Sequence, residues 1–193
     1  MSQSVANNFR IFAPHEKHMR KLTNEELNRV SVEEYKNINK IPIVVVLDNI
    51  RSLSNIGSVF RTSDAMAIER IILCGITAKP PQREIHKTAL GATESVDWKW
   101  EQSTLKAVQD LKHEGYEIIS VEQADQSVSL PDFFPNKSSK YALVFGNEVN
   151  GVEEDVIHVS DAVIEIPQWG TKHSLNISVS AGIVLWDMLL KFK

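Results

Sequence analysis

Ile43-Val44-Val45-Val46-Leu47 is an unbroken apolar run, β-branched at all but its last position, and it ends at the polar pair Asp48-Asn49. A strand with one wet face alternates apolar and polar residues; a continuous run predicts a strand buried on both faces, inside a parallel sheet. Working outward, the pattern keeps alternating. Leu53 to Met66 predicts a helix, Arg70 to Gly75 a second buried strand, and Val96 to Trp100 a short strand. Thr104 to His113 is helical, with Gly115 suited to its stop. Tyr116 to Val121 and Tyr141 to Phe145 read as strands, separated by a loop-rich stretch punctuated by Pro131 and Pro135. Val152 to Val159 reads as a helix, Ala162 to Ile166 as a strand, and Leu175 to Phe192 as a long terminal helix. Strands alternating with helices give an α/β fold: a mainly parallel sheet with helices on both faces.

Residues 1–40 differ in character. They are polar and predicted helical in pieces, and Thr23-Asn24-Glu25-Glu26 reads as a helix start. Arg10, Lys17, Arg20 and Lys21, with His15 and His18 beside them, make the segment locally basic. It reads equally well as a solvated or dimer-packing arm and as a contact to phosphates. The expected division is therefore an N-terminal helical arm, 1–40, and a single domain, 41–193.

Composition narrows the class. Hydrophobic residues make up 42% of the 193, which excludes a disordered or fibrous chain. The net charge of -4 argues mildly against nucleic-acid binding, although a local basic patch decides that question rather than the sum. The single cysteine, Cys74, lies in the apolar run Ile71-Ile72-Leu73 and reads as a core residue. With no internal disulfide possible, a reducing cytoplasm is the expected location. Residues 1–10 have no apolar signal core, and the apolar stretch from Ile183 to Leu190 is short and broken by Asp187, so no membrane span is expected. His15 and His18 lack a cysteine or acidic cluster to complete a zinc shell, so no metal is expected.

In parallel sheets, ligands sit beyond the carboxyl ends of the strands. Three such segments carry polar and glycine residues. The first, Asp48 to Arg61, contains Asn55, Gly57 and Arg61. Asn55 can cap a helix, Gly57 permits close backbone approach, and Arg61, one turn further on, can clamp a phosphate or carboxylate. Taken alone, Arg61 reads better as an ordinary exposed helix arginine. The second is Gly146-Asn147-Glu148-Val149-Asn150-Gly151, in which two glycines bracket a carboxylate. Its spacing matches neither a dinucleotide fingerprint nor a P-loop. The third, Ile166 to Ser178, places Ser174 and Asn176 where helix amides point outward, and one of them serves as a cap.

The ordered set Asn-x-Gly-x-x-x-Arg, Gly-Asn-Glu-x-x-Gly, and Ile-Pro followed by Ser-Leu-Asn-x-Ser resembles the SpoU (TrmH-like) family of SPOUT methyltransferases over roughly Ile43 to Phe192. Trp169, Lys172 and His173 fall where that family varies. The resemblance implies an α/β domain whose C-terminal segment forms a trefoil knot, with S-adenosylmethionine held by the loops at Gly146 and at Ile166 to Leu175. It implies backbone contacts to the cofactor from Gly146, Ile166 and Leu175, with Ser174 nearby. It implies Asn55, Arg61, Glu148, Ser174 and Asn176 as catalytic residues, a homodimer in which Arg61 reaches the neighbouring subunit's cofactor region, and methylation of a ribose 2′-hydroxyl in tRNA or rRNA. A free guanidinium holds its proton above pH 12, so an orienting role suits Arg61 better than that of a simple base. The alternatives are a knotted protein that binds RNA or cofactor without catalysis, and a methyltransferase acting on a small nucleotide. Substrate choice is expected to rest on the N-terminal arm, Arg83, Lys87 and the Trp169 to His173 loop.

Overall fold

The computed structural model describes residues 19–192. They divide into a short unit ending at Val30 and a body beginning at Ser31. In the short unit the anticipated capping pair forms: the Thr23 N–H donates to Glu26 at 2.8 Å, and the Glu26 N–H donates to the Thr23 hydroxyl at 3.4 Å. Even so, residues 24–28 make a turn rather than a helix. Asn28 adopts a left-handed conformation (φ 46°) that ends the turn, and a single turn fixes several dihedrals for few hydrogen bonds. Arg10, Lys17, His15 and His18 lie outside the described residues.

The body is a seven-stranded sheet in which every pairing of strands is parallel. Its strands are β1 (Ile41–Asp48), β2 (Ile68–Cys74), β3 (Asp97–Glu101), β4 (Tyr116–Val121), β5 (Val128–Ser129), β6 (Lys140–Phe145) and β7 (Ala162–Glu165), in the order β3-β2-β1-β6-β4-β7-β5. The helices are α1 (Val32–Asn37), α2 (Leu53–Ala65), α3 (Arg83–Ala89), α4 (Ala92–Ser95), α5 (Thr104–His113), α6 (Glu154–Val159) and α7 (Ile177–Phe192).

The opening run explains the layering. Alternate side chains of a strand point to opposite faces. Ile43, Val45 and Leu47 pack with Ile56 and Phe60 of α2 and with Val184, Leu185 and Met188 of α7. Val44 and Val46 pack with Ala107, Val108 and Leu111 of α5 and Val156 of α6. All five residues of the run are fully buried. Burying each is worth about 1.5–3 kcal/mol, which is why the run tolerates no polar residue. Cys74 lies in the second of these layers, where burial pushes its thiol pKa up to about 12 and leaves it unreactive.

Two helices and one strand had no sequence signal. α3 offers only Ile85 and Ala89 to the core, and α4 is a single turn. They are held by packing against α2, and the joint between them uses left-handed residues, Leu90 (φ 50°) and Gly91 (φ 92°). Gly57 is the contact that makes this possible. A Cβ there would lie 2.1 Å from the Thr88 hydroxyl and 2.3 Å from the Ile85 carbonyl. The backbone that approaches Gly57 is thus α3, not a ligand.

Candidate functional site

Because the strands are parallel, Asp48, Val121, Phe145 and Glu165 end on the same edge of the sheet, and the loops that follow them meet there. The loop after β6 folds back on itself through a pair of hydrogen bonds between Asn147 and Gly151, both 2.9 Å. This closure requires glycine at both ends. A Cβ on Gly146 would lie 2.1 Å from the backbone of Gly151 and Val152. Gly151 has φ +70°, and a Cβ there would lie 2.2 Å from the Glu122 carboxylate. The Asn147 side chain stitches the turn, accepting from the N–H groups of Val149 and Asn150 and donating to the Asn49 carbonyl at 2.6 Å.

Glu148 is thereby presented to the start of α2. Its two oxygens accept from the N–H groups of Arg51 and Ser52, both 3.0 Å, and from the Asn55 amide at 3.1 Å. Partial burial alone would raise its pKa. The N–H groups of Arg51, Glu148 itself and Ser52, with the Asn55 amide, outweigh burial and hold the carboxyl below its ordinary value. Asn55 is buried and passes the network on: its side-chain oxygen accepts from the Asn176 amide at 3.1 Å. Asn176 is also the cap of α7, accepting from the Ser178 N–H at 2.9 Å and from the Ser178 hydroxyl at 2.7 Å. One side chain therefore both caps a helix and ties the third loop to the first two. The β4 loop joins as well, since Gln123 donates to the His173 carbonyl at 2.7 Å and Glu122 accepts from the Val152 N–H at 3.1 Å.

These loops surround a cleft of about 540 Å³ whose walls include Gly146, Glu148, Ile166, Ser174, Leu175 and Asn176. That volume lies within the range of small-molecule sites. Asn55 sits behind the wall, linking Glu148 to Asn176. Arg61 is the exception among the anticipated residues. It is exposed on α2, does not line the cleft, and makes no side-chain hydrogen bond or ion pair among the described residues.

Three positioning residues escaped the sequence reading. Asp48 is a fully buried carboxylate at the end of β1, accepting from the Asn49 amide, the Thr104 hydroxyl and the Glu153 N–H, and so fixing the start of α6. A charge closing an apolar strand was the available signal. Asn147 lay within the second motif, but its tie to the Asn49 carbonyl, like that of Glu122 to the Val152 N–H, joins residues remote in sequence and left no local signal. Among the described residues no cluster of His, Cys, Asp and Glu could hold a metal ion, and no helix is long and apolar enough to cross a membrane.

The chain is 31% identical over 163 residues to the 23S rRNA (guanosine-2'-O-)-methyltransferase RlmB of Neisseria meningitidis serogroup B, covering 82% of this chain but 62% of that protein. It is 30% identical over 149 residues to a tRNA (guanosine(18)-2'-O)-methyltransferase of Aquifex aeolicus, covering 75% of this chain and 67% of the relative. Among solved structures, it superposes on an AdoMet-bound rRNA methyltransferase from Sinorhizobium meliloti with a TM-score of 0.72 and 26% identity, covering 80% of this chain and 59% of that one. It shares the fold of the A. aeolicus TrmH/SpoU tRNA modifying enzyme, with a TM-score of 0.74 at 23% identity, covering 83% of this chain and 80% of the other. The model of the SpoU rRNA Methylase family matches residues 42–186, a span that takes in all three loops of the cleft, and the chain belongs to that family.

Proposed function

We propose that this protein is an S-adenosylmethionine-dependent RNA methyltransferase acting on a ribose 2′-hydroxyl of tRNA or rRNA, and that it works as a homodimer. The observation that carries this reading is the hydrogen-bonded chain Glu148–Asn55–Asn176, which locks three separate loops into one preorganised cleft. The cleft suits the cofactor in size, about 540 Å³, and its wall is formed by Gly146, Ile166, Ser174 and Leu175. When bound, S-adenosylmethionine supplies an electrophilic methyl group on a sulfonium that leaves as a neutral thioether. The residues of the chain then have to hold the acceptor hydroxyl in line and help its proton leave. Ser174 and Asn176 are placed to position the reactants. Glu148 acts at one remove, since its oxygens are occupied by Arg51, Ser52 and Asn55.

Arg61 supports the dimer. It faces solvent within its own chain, with no partner for its charge among the described residues. On α7, Val179, Ile183, Trp186 and Leu190 are exposed at spacings of four, three and four, which places them on one helix face. Ile177, Ala181, Val184, Leu185 and Met188 bury the opposite face. A helix apolar on both sides has one side still to cover. A second copy would cover it and bring an arginine to a neighbouring cleft, where a guanidinium can orient the acceptor hydroxyl and its phosphate. The match to the SpoU family model supports reading the C-terminal segment as a trefoil knot. The arm, residues 1–40, would add phosphate contacts.

The decisive experiment is transfer of a labelled methyl group from S-adenosylmethionine to RNA taken from cells lacking the protein, followed by mapping of 2′-O-methylation. Incorporation at a ribose is expected. No incorporation into such RNA, with cofactor binding intact, would leave a non-catalytic binding protein.

A further inference from the structure

A second cavity, of about 440 Å³, lies between α3, α4 and the start of β3, and it shares no lining residue with the cleft. Its apolar surface comes from Pro80, Pro81, Ile85 and Trp98, and its polar groups are those of Gln82, Arg83, His86, Thr93 and Glu94. A concave site lined by apolar side chains together with a few polar groups is the makeup of a small-molecule site. The contrast with the cleft is informative. There five polar side chains, Glu122, Gln123, Asn147, Glu148 and Asn176, are tied to other loops. Here none of the five polar side chains makes a hydrogen bond or ion pair among the described residues, although Thr88 and Ser95 close by are both bonded internally. Lys79 and Lys87 are exposed on the segments that bring in the two walls.

We propose that this cavity binds an unpaired guanine base of the RNA, other than the base of the acceptor nucleotide. The inference rests on the reading of the protein as an RNA methyltransferase. Single-stranded RNA is read by stacking splayed bases on aromatic rings and hydrogen-bonding their edges. Trp98 supplies the ring. Guanine presents two adjacent N–H donors, N1 and N2, which match the two oxygens of the Glu94 carboxylate. Adenine presents an acceptor at N1 that would face the same carboxylate and be repelled. Arg83 and His86 can donate to the adjoining Hoogsteen edge, O6 and N7. The cations Lys79, Arg83 and Lys87 attract the flanking phosphates. Glu84 and Glu94 nearly balance them, so the site selects a base rather than serving as a general phosphate surface.

The test compares Glu94→Gln, a surface change of the same shape, with Trp98→Leu, which removes the ring. With RNA substrate, Glu94→Gln should raise KM about tenfold while leaving kcat unchanged, because the lost pairing is remote from the reacting atoms. A short single-stranded RNA containing guanine should bind the wild type better than its adenine counterpart, and Glu94→Gln should erase that difference. Trp98→Leu should weaken both RNAs, with circular dichroism showing the fold retained. An unchanged KM in Glu94→Gln alongside wild-type methylation would overturn the proposal while leaving the methyltransferase reading intact. So would a change of oligomeric state in either variant, which would assign the cavity to self-association. Should the wild type methylate no RNA, the underlying reading fails instead. The cavity is then judged by binding of guanosine 5′-monophosphate against adenosine 5′-monophosphate: guanine-selective binding lost in Glu94→Gln supports the site, and equal or absent binding overturns it.

Discussion

The cleft at the sheet edge and the outer face of α2 and α7 are two halves of one chain treated in opposite ways. In the cleft, Glu148, Asn55, Asn176, Asn147 and Gln123 each spend their polar atoms on another loop, so the geometry is fixed before any ligand arrives. On the outer face, Arg61 has no partner among the described residues, and Val179, Ile183, Trp186 and Leu190 lie uncovered. The difference teaches that the first region is organised by contacts within the chain, whereas the second leaves its charge and its apolar side chains uncovered. Rigid sites avoid the entropy of ordering on binding, whereas an exposed apolar stripe gains free energy only when covered.

The sharpest way to break this comparison is Arg61→Ala. Methyl transfer to RNA should fall about 10²–10³-fold, as for loss of a single group that meets developing charge, while calorimetry shows cofactor affinity unchanged. Mixing Arg61→Ala with Asn176→Ala protein should restore activity, because a hybrid pair has one intact cleft facing one intact arginine. Near-wild-type turnover of Arg61→Ala would remove this residue from the mechanism, and failure of the mixture to recover would confine Arg61 to its own subunit.

Trp186→Glu tests the stripe itself. A charge at the centre of a covered apolar face should give monomers in sedimentation and abolish RNA methylation, with the thermal midpoint little changed. If the variant sediments like wild type, α7 is not the interface.

Gly146→Ala addresses the cleft. Its Cβ would overlap the backbone at Gly151 and Val152, so the loop must shift. Overpacking of this kind costs about 1–3 kcal/mol, and cofactor affinity should weaken by about 10–100-fold. An unaltered dissociation constant would show that the loop is softer than its contacts suggest.

The smallest effect concerns Glu148. Glu148→Gln leaves one acceptor for three donors and should destabilise the protein by about 1 kcal/mol. The direction with pH follows from the lowered pKa. The folded protein holds this carboxyl below its ordinary 4.5, so its contribution is full above that value and disappears as pH falls through the folded pKa. Between pH 7 and 5 the stability gap between wild type and Glu148→Gln should stay constant, and it should shrink under more acidic conditions. A gap that closes near neutrality would contradict the lowered pKa.

Much of this architecture was legible in the chain itself. The run Ile43 to Leu47 determined a strand buried on both faces, because any polar residue at those positions would lie against one helix layer or the other. The alternation after it determined a parallel α/β sheet, and the parallel arrangement placed the Asn55, Glu148 and Asn176 loops on one edge. What the sequence could not decide were contacts between remote residues whose local signals are ordinary. Thr23 and Glu26 carry a good start signal yet make a turn, since the apolar residues that follow, Leu27 and Val30, stay exposed and add no burial to stabilise a helix. Gly57 was read as permitting a close backbone approach, and the element that approaches it is α3, a helix visible only once packed. Arg61 shares its segment with Asn55 yet does not line the cleft of its own chain. In each case local propensity is worth a few tenths of a kcal/mol per residue, and burial or a remote partner outweighs it. The fold followed from the pattern of apolar residues. Which polar side chains were spent inside the chain, and which were left to meet a partner, was decided by tertiary structure alone.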